Sequence, residues 1–262
     1  MVRPLDPGGD QTSVNVPDTA MVLAAGLGTR LRPLTDDRPK ALVKVGGRAL
    51  IDHMLDRLEA AGVERAVVNV HAHADKLIAH LDQRGSDIEI VVSDERDHPE
   101  PLETGGGIKR AAHLLGDDPI LVANIDSVWI EARKLEECEP PAAAIRALCD
   151  RYDPAREAAR LLLARMKRTT GFDGPGDFFM DDDGHLTPRR VTGAPAAPLN
   201  YMGVHIVDPR PIYARPETAF GLFPLWAEWS SQGRLTGSLM EGDWMHVGDP
   251  EALRVAESRL AR

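Results

Sequence analysis

Residues 21–47 read MVLAAGLGTRLRPLTDDRPKALVKVGG and give the chain its strongest structural signal. The apolar run at residues 21–25 is bounded by glycine, which is typical of a short buried strand. Gly26 and Gly28 let the backbone turn sharply and bring its N–H groups close to a ligand. The stretch therefore predicts a strand that leads into a tight, ligand-binding loop.

The loop after this strand is basic, although the chain is acidic. Residues 21–47 contain five Lys and Arg residues against two Asp, whereas the whole chain has a formal net charge of −10 at pH 7. A basic glycine loop in an acidic chain suggests a site for a polyanion such as a nucleoside triphosphate. A surface loop with solvated charges is the alternative. Leu31 stands where a Walker A motif or a dinucleotide fingerprint needs glycine, so ATPase and NAD-enzyme interpretations lose their usual motif.

Length and composition limit the class of protein. The chain has 262 residues, 43% of them hydrophobic, which is enough for one large α/β core. The acidic balance argues against a nucleic-acid partner, and no apolar run approaches the roughly 18–20 residues that span a membrane. Cys138 and Cys149 form neither a C-x-x-C pair nor a disulfide framework, so we expect a cytoplasmic location. The sequence favours neither a monomer nor a homo-oligomer.

The apolar periodicity predicts strands that alternate with helices. Strands are expected at residues 21–25, 65–70, 88–92, 120–123, 161–166, 177–180, 185–189, 200–207 and around 242–246. Helices are expected at residues 49–61, 75–83, 108–115, 141–151, 220–229 and 250–260. This alternation predicts an α/β fold with a mostly parallel sheet covered on both faces. Residues 1–19, rich in Pro, Gly and Asp, are expected to be a flexible tail before a single domain at 20–262.

The strand ends are informative because ligands of such sheets bind at the carboxyl ends of the strands. The strand at residues 120–123 ends near Asp126, whose carboxylate could hold a cation between phosphates or could be an ordinary loop or cap residue. Residues 102–107, LETGGG, place three glycines before a helix, which permits close approach of a flat or phosphate-bearing ligand or simply makes a flexible turn. His246 ends a strand on the same face as Trp244, and it is either structural or part of the site.

Four segments resemble the sugar-1-phosphate nucleotidyltransferases. Residues 23–40 match the signature loop L-A-A-G-x-G-T-R-L-x-P-L-T-x-x-x-P-K, and the LETGGG segment is similar to that of the bacterial N-acetylmuramate 1-phosphate uridylyltransferases. Residues 244–250 resemble the family's W-x-D-V-G-T-P. Ile125 replaces the glycine of the family's N-G-D, and His246 stands where the family has an aspartate that binds metal.

The resemblance implies a three-layer α/β/α Rossmann-like fold with a nucleotide-binding half at residues 20–130 and an added sugar-phosphate-binding β/α half at 131–262. It implies that a sugar 1-phosphate and an NTP give an NDP-sugar and pyrophosphate, with UTP and N-acetylmuramate 1-phosphate, in cell-wall sugar recycling, as the favoured pair. A mannose-1-phosphate guanylyltransferase is one alternative. Because His246 replaces an acid, a nucleotide-sugar-binding protein with weak catalysis is another. An interaction-only protein explains the basic loop poorly.

The resemblance also implies roles for individual residues. Arg30 would stabilise the β- and γ-phosphates, Lys40 would hold the α-phosphate or the sugar phosphate, and both would be catalytic with Asp126. The expected nucleotide contacts are Ala24, Ala25, Gly26, Gly28, Thr29, Arg30, Asn69, Glu103, Gly105 and Gly106. The expected sugar-phosphate contacts are Lys40, Asn124, Asp177, Arg189 and Asn200. Asp126 and His246 would hold Mg²⁺, or Mn²⁺ or Co²⁺ because imidazole suits those ions better.

Overall fold

The structure is a computed structural model that describes residues 16–131 and 142–261. Most of the predicted tail, residues 1–15, and Cys138 lie outside the described residues, whereas Thr19 already belongs to the first strand. Cys149 is a free thiol buried in a helix. Within the described ranges, no helix is long and apolar enough to cross a membrane.

Strands and helices alternate through the first half of the chain, as the periodicity predicts. The strands are β1 Thr19–Leu23, β2 Lys44–Val45, β3 Arg48–Ala49, β4 Arg65–Val70, β5 Glu89–Asp94, β6 Ile120–Asn124, β7 Ser127–Glu131, β8 Ala159–Arg165, β9 Thr169–Thr170, β10 Phe178–Met180, β11 Leu186–Pro188, β12 Leu199–Val207, β13 Leu235–Leu239 and β14 Gly242–His246. The helices are α1 Leu50–Ala61, α2 Ala74–Asp82, α3 Glu103–Arg110, α4 Ala112–Leu115, α5 Ala143–Asp150, α6 Arg189–Thr192, α7 Arg210–Tyr213, α8 Phe223–Ser231 and α9 Pro250–Leu260.

Among the described residues the main sheet has nine strands, with β11-β10-β12-β6-β1-β4-β5 in order, β8 paired with β12, and β13 paired with β8. Strands β6, β1, β4 and β5 are parallel, whereas β12 runs antiparallel to β6 and joins the second half of the chain to the first. The glycine loop thus follows a central strand of the sheet. On one side of β1 lie β4 and β5, and on the other lie β6, β12 and β10. The predicted α/β class with a mostly parallel core is confirmed.

Successive residues of a strand point to opposite faces of the sheet, and here the side chains on both faces are buried. In β1, Ala20 and Val22 belong to one hydrophobic cluster and Met21 belongs to the other. Helix α1 packs its apolar stripe on the first face and ends at Gly62, whose φ of 107° is the left-handed conformation that glycine favours. Helices α3 and α8 cover the second face. The result is three layers, as predicted.

The glycine segment differs from the sequence-based prediction. Instead of a turn before a helix at residue 108, helix α3 begins at Glu103 and contains all three glycines. Gly105 and Gly106 both donate their backbone N–H to the Phe220 carbonyl, at 2.8 and 3.2 Å. A Cβ on either glycine would collide with the segment that contains Thr218 and Phe220. Tertiary packing therefore outweighs the poor helix propensity of glycine.

A methyl group at Gly106 is expected to destabilise the fold. Alanine would gain about 1 kcal/mol of helix propensity, but its Cβ would overlap the Thr218 carbonyl, which belongs to the backbone. Overpacking of this kind typically costs about 1–3 kcal/mol. We expect Gly106→Ala to lower the urea midpoint of unfolding. Gly85→Ala, where nothing lies within 4 Å, is the matched control, and equal midpoints for the two variants would contradict this packing.

The sequence-based prediction missed strand β7, which follows β6 after only two residues. β7 pairs antiparallel with β14, so that Ser127 lies opposite His246. The Trp244 indole donates a 2.7 Å hydrogen bond to the Ser127 hydroxyl, and Val247 N–H donates to the Asp126 carbonyl at 2.9 Å. This small sheet fixes the end of β14 against the turn after β6. It therefore brings the two predicted metal ligands together.

Candidate active site

The loop after β1 is held in shape by its own residues. Gly28 has a φ of 62°, and its carbonyl accepts a 2.9 Å hydrogen bond from the Thr35 hydroxyl. A Cβ on Gly28 would lie 2.9 Å from the Cβ of Lys40. Glycine is required here both for the positive φ and for the close approach of Lys40. The loop and Lys40 thus form one packed unit.

Asn69 supports this loop from beneath. Its Oδ1 accepts from the Ala24 N–H at 2.6 Å and from the Ala25 N–H at 3.2 Å, and its Nδ2 donates to Glu95 at 2.8 Å. Glu95 in turn accepts from the Leu102 N–H at 3.1 Å. In this conformation the two alanine N–H groups are taken by Asn69. The geometry suits Asn69 to positioning the loop, while its predicted contact with the nucleotide stays a prediction.

Lys40, Asp126 and His246 meet at the carboxyl end of β6. The Lys40 Nζ lies 2.8 Å from Asp126 Oδ2, and the His246 Nε2 lies 3.3 Å from the same oxygen. The other ring nitrogen of His246 is 3.1 Å from the Gly171 carbonyl, which fixes the orientation of the imidazole. Three residues that are far apart in sequence are therefore one cluster.

The charge of Asp126 is set by this cluster. Burial alone would raise its pKa, but the Lys40 ammonium and the adjacent His246 outweigh burial and hold the pKa of Asp126 well below its usual range. Asp126 is consequently a carboxylate at neutral pH. An ionised oxygen donor beside a basic loop is what a site for a cation and phosphates needs.

An open cleft of about 310 Å³ lies between the loop and this cluster. The predicted site residues that line it are Ala24, Gly26, Gly28, Thr29, Arg30, Lys40, Asn124 and Asp126. Arg30 is exposed, and within residues 16–131 and 142–261 its guanidinium has no hydrogen bond or ion pair. The cleft therefore presents the Arg30 guanidinium together with the ion pair of Lys40 and Asp126.

Three other predicted nucleotide contacts, Glu103, Gly105 and Gly106, are not among the described residues that line the cleft. The N–H groups of Gly105 and Gly106 are buried and bound to Phe220, and Glu103 is exposed with a φ of 61°. Gly107 packs against the side chains of Asn69 and Glu95, where a Cβ would be 3.0 and 2.9 Å away. Gly107 thus lets α3 pack against Asn69 and Glu95, the two residues that support the loop.

The predicted sugar-side residues are divided between two places. Asp177 and Arg189 line a second cavity of about 200 Å³ beside β12. Asp177 accepts the Tyr201 N–H at 3.0 Å, and burial raises the pKa of its carboxyl. Asn200 is fully buried instead, with its Nδ2 donating to Thr169 at 3.0 Å. The structure therefore does not bring Asn200 together with the other two.

The donor set fits a divalent cation that is held in part by substrate. Among the described residues, no three His, Cys, Asp or Glu side chains group closely enough to hold a metal ion by themselves. Mg²⁺ commonly takes one or two protein carboxylates, with substrate phosphates and water completing its coordination. Asp126, an ionised carboxylate at the edge of an open cleft, meets that requirement, and His246 lies beside it.

Several supporting residues gave little signal in the sequence. Glu95 and Ser127 each act through a hydrogen bond to a residue distant in sequence, and Thr35 acts through one to Gly28 in the same loop. A single polar residue in a loop or strand is unremarkable until its partner is known. Thr35 alone falls within the signature loop, so its position in that loop was the one available clue.

Comparison with known proteins identifies the family of this chain. The family described as nucleotidyl transferase matches residues 19–157. The N-acetylmuramate alpha-1-phosphate uridylyltransferase of Caulobacter vibrioides is 52% identical, and the alignment covers 94% of this chain and 98% of the relative. The mannose-1-phosphate guanyltransferase of Candida albicans is 28% identical over 88% of this chain and 61% of its own length. The chain therefore belongs to the nucleotidyl transferase family, as the signature loop predicts.

Solved structures show the same architecture. The crystal structure of HddC from Yersinia pseudotuberculosis complexed with GMP-PN has a TM-score of 0.70 and 19% identity, and the match covers 92% of this chain and 99% of that chain. At this identity the likeness shows the fold alone. It confirms the α/β nucleotidyltransferase fold that the resemblance implies.

Arg30→Ala is expected to lower turnover about a hundredfold, since charged hydrogen bonds to phosphate are strong. The protein should stay folded, because Arg30 is exposed. Arg32→Ala is the matched control, because Arg32 lies in the same loop, is exposed and pairs with Asp36 at 3.4 Å. Steady-state rates of pyrophosphate release would compare the two variants. Equal rates for Arg30→Ala and Arg32→Ala would contradict the assignment.

Proposed function

We propose that this protein transfers the uridylyl group of UTP to N-acetylmuramate 1-phosphate, giving the UDP-sugar and pyrophosphate. The observation that supports this most strongly is the 52% identity with the Caulobacter vibrioides uridylyltransferase over nearly the full length of both chains. The family match and this relative confirm the predicted enzyme class, so a binding-only protein is no longer favoured. We also propose that it acts in the cytoplasm, where nucleoside triphosphates are available.

In the proposed reaction, a phosphate oxygen of the sugar 1-phosphate attacks the α-phosphorus of UTP. The bond from that phosphorus to the bridging oxygen of the β-phosphate breaks, and pyrophosphate leaves with the electron pair. The attacking oxygen is already ionised at neutral pH, so no side chain has to remove a proton. The work left to the protein is positioning and neutralisation of charge.

The cleft offers groups for both tasks. Lys40 is 8% exposed and its stem is packed against Gly28, so its ammonium is held in a fixed place, where it would bind the α-phosphate or the incoming sugar phosphate. Arg30 is exposed at the rim, where it would bind the β- and γ-phosphates and the departing pyrophosphate. Asn124 lines the cleft beside Asp126 and would contact the sugar phosphate. The backbone from Gly26 to Thr29 would follow the nucleotide.

We propose Mg²⁺ as the metal, held by Asp126 and by substrate phosphates. When bound, such an ion neutralises phosphate charge and orients the two substrates. Lys40 now occupies one oxygen of Asp126, at 2.8 Å. His246 would lie at the edge of the site, where it would either bind the metal directly or contact a phosphate or a metal-bound water.

The metal preference is expected to report the role of His246. If the imidazole contacts the ion, Mn²⁺ or Co²⁺ should support turnover better than Mg²⁺, and His246→Asp should move the preference towards Mg²⁺. If it contacts phosphate or water, His246→Asp should lower turnover with every metal, because it adds negative charge beside anionic substrates. Turnover measured across the three ions separates the two roles. An unchanged metal profile and rate in His246→Asp would exclude both.

A panel of substrates tests the proposed function. Pyrophosphate release is measured with each of the four NTPs against N-acetylmuramate, N-acetylglucosamine and mannose 1-phosphates. We expect UTP with N-acetylmuramate 1-phosphate to give the highest kcat/KM. A kcat/KM for GTP with mannose 1-phosphate tenfold above that value would overturn the proposal and favour the second candidate, for which the 28% identity with the Candida albicans guanyltransferase is the supporting observation.

A further inference from the structure

The second cavity lies beside β12, the strand that pairs with β6. It is lined by residues of β10, β12, α6 and α8, among them Asp177, Arg189, Arg190, Tyr201, Phe223 and Trp226. Strand β12 pairs with β6, which ends in Asn124, and Gly203 of β12 packs closely against the Asn124 side chain. A substrate whose phosphate is held near Asn124 could therefore reach this cavity with its sugar.

The two arginines of the cavity are held differently. Arg189 donates to the carbonyls of Gly176 at 2.8 Å and Ala194 at 3.3 Å, so part of its guanidinium is already used. Arg190 lies over the Phe223 ring, 5.3 Å from its centroid, and is exposed. Within residues 16–131 and 142–261 Arg190 makes no hydrogen bond or ion pair. Its planar fork of donors is thus positioned by an aromatic ring and free to bind an acceptor.

The rest of the cavity suits a carboxylate better than a second cation. Asp177 is the one acid among the described residues that line the cavity. Its carboxyl accepts the Tyr201 N–H, and it is less readily ionised because burial raises its pKa. The Trp226 ring forms an aromatic wall 5.0 Å from the Tyr201 centroid, and its buried Nε1–H has no partner among the described atoms. The cavity therefore has an excess of donors and positive charge.

We propose that this cavity is the subsite for a carboxylate-bearing substituent of the sugar and that Arg190 is the residue that selects it. The inference rests on the proposed function. N-acetylmuramate differs from N-acetylglucosamine by a lactyl ether that carries one carboxylate, and a guanidinium binds a carboxylate through two parallel hydrogen bonds. The aromatic wall would pack against the apolar part of the same substituent.

The same arginine could instead bind the phosphate of the substrate, and the two roles predict different results. Every sugar 1-phosphate carries the phosphate, so loss of a phosphate contact would lower kcat/KM equally for all of them. Only the muramate carries the carboxylate, so loss of a carboxylate contact would lower the ratio of kcat/KM for the muramate to that for N-acetylglucosamine 1-phosphate.

The experiment measures that ratio with UTP for the wild type, Arg190→Gln, Arg190→Lys and the control Arg254→Gln, an exposed arginine that pairs with Glu251 on α9. We expect Arg190→Gln to lower the ratio about tenfold to a hundredfold, the range for a lost charged hydrogen bond, through a higher KM for the muramate. Arg190→Lys should recover part of the ratio, and Arg254→Gln should match the wild type.

Equal losses for both sugar phosphates, or an unchanged ratio in Arg190→Gln, would overturn the inference while the proposed function stands. If the wild type releases no pyrophosphate with either sugar phosphate, the proposed function fails. Calorimetric Kd values for the two sugar phosphates, in the wild type and in Arg190→Gln, then decide the subsite separately. A preference for the muramate that Arg190→Gln removes supports it, and equal affinities contradict it.

Discussion

Asp126→Asn is expected to lower kcat by at least about a thousandfold, which is the upper range for loss of one electrostatic group at a reacting centre. Asp126 is the carboxylate at the end of β6, and it faces both Lys40 and His246. Asparagine keeps the shape of the side chain but removes the charge that a cation between phosphates needs. Pyrophosphate release, titrated with Mg²⁺ and Mn²⁺, gives the comparison.

Asp36→Asn is the matched control for this change, since Asp36 is an exposed carboxylate in the loop after β1 and pairs with Arg32. It should retain the wild-type rate. Two results would refute the assignment of Asp126. One is an Asp126→Asn variant with more than a tenth of wild-type kcat, and the other is wild-type turnover that needs no divalent ion.

Lys40→Ala is expected to lower kcat/KM at least about a hundredfold, because it removes a nearly buried ammonium that would neutralise a substrate phosphate. Lys40→Arg should also be poor. The Lys40 side chain packs so closely on Gly28 that a Cβ added to Gly28 would lie 2.9 Å from the Cβ of Lys40. In so confined a space the planar guanidinium of arginine does not replace the compact ammonium of lysine.

Lys44→Ala provides the control for Lys40, since Lys44 is an exposed lysine four residues further along the chain. Its kcat/KM should equal that of the wild type. The urea midpoints of the three variants should be measured alongside, because a loss of folding would mimic a loss of chemistry. A folded Lys40→Ala variant with near-normal activity would remove Lys40 from the site.

The sequence was most informative where local chemistry and tertiary structure agree. The glycine loop and the strand before it could be predicted because a buried strand needs apolar residues and a tight turn needs glycine. The start of the last helix, predicted at residue 250, is also observed, and the Asp249 side chain caps that helix by accepting the Ala252 N–H at 2.9 Å. In both places the local pattern and the final contacts call for the same residue type.

The sequence was least informative where tertiary contacts decide the conformation. Helix α3 contains three glycines, which disfavour a helix by propensity, and it exists because the segment around Phe220 packs directly on them. Strand β7 was missed because it follows β6 after only two residues, and its partner β14 is more than a hundred residues away. The supporting role of Asn69 depends on three backbone or side-chain partners that no local pattern specifies.

The central claim is that the cleft holding Arg30, Lys40 and Asp126 joins a nucleotide to a sugar phosphate. Phosphorus NMR of a reaction containing the wild-type protein, UTP, N-acetylmuramate 1-phosphate and Mg²⁺ tests it most directly. The account predicts that the signals of both substrates decline together while UDP-sugar and pyrophosphate appear in equal amounts. Formation of UDP and free phosphate, or no change in either substrate, would contradict it.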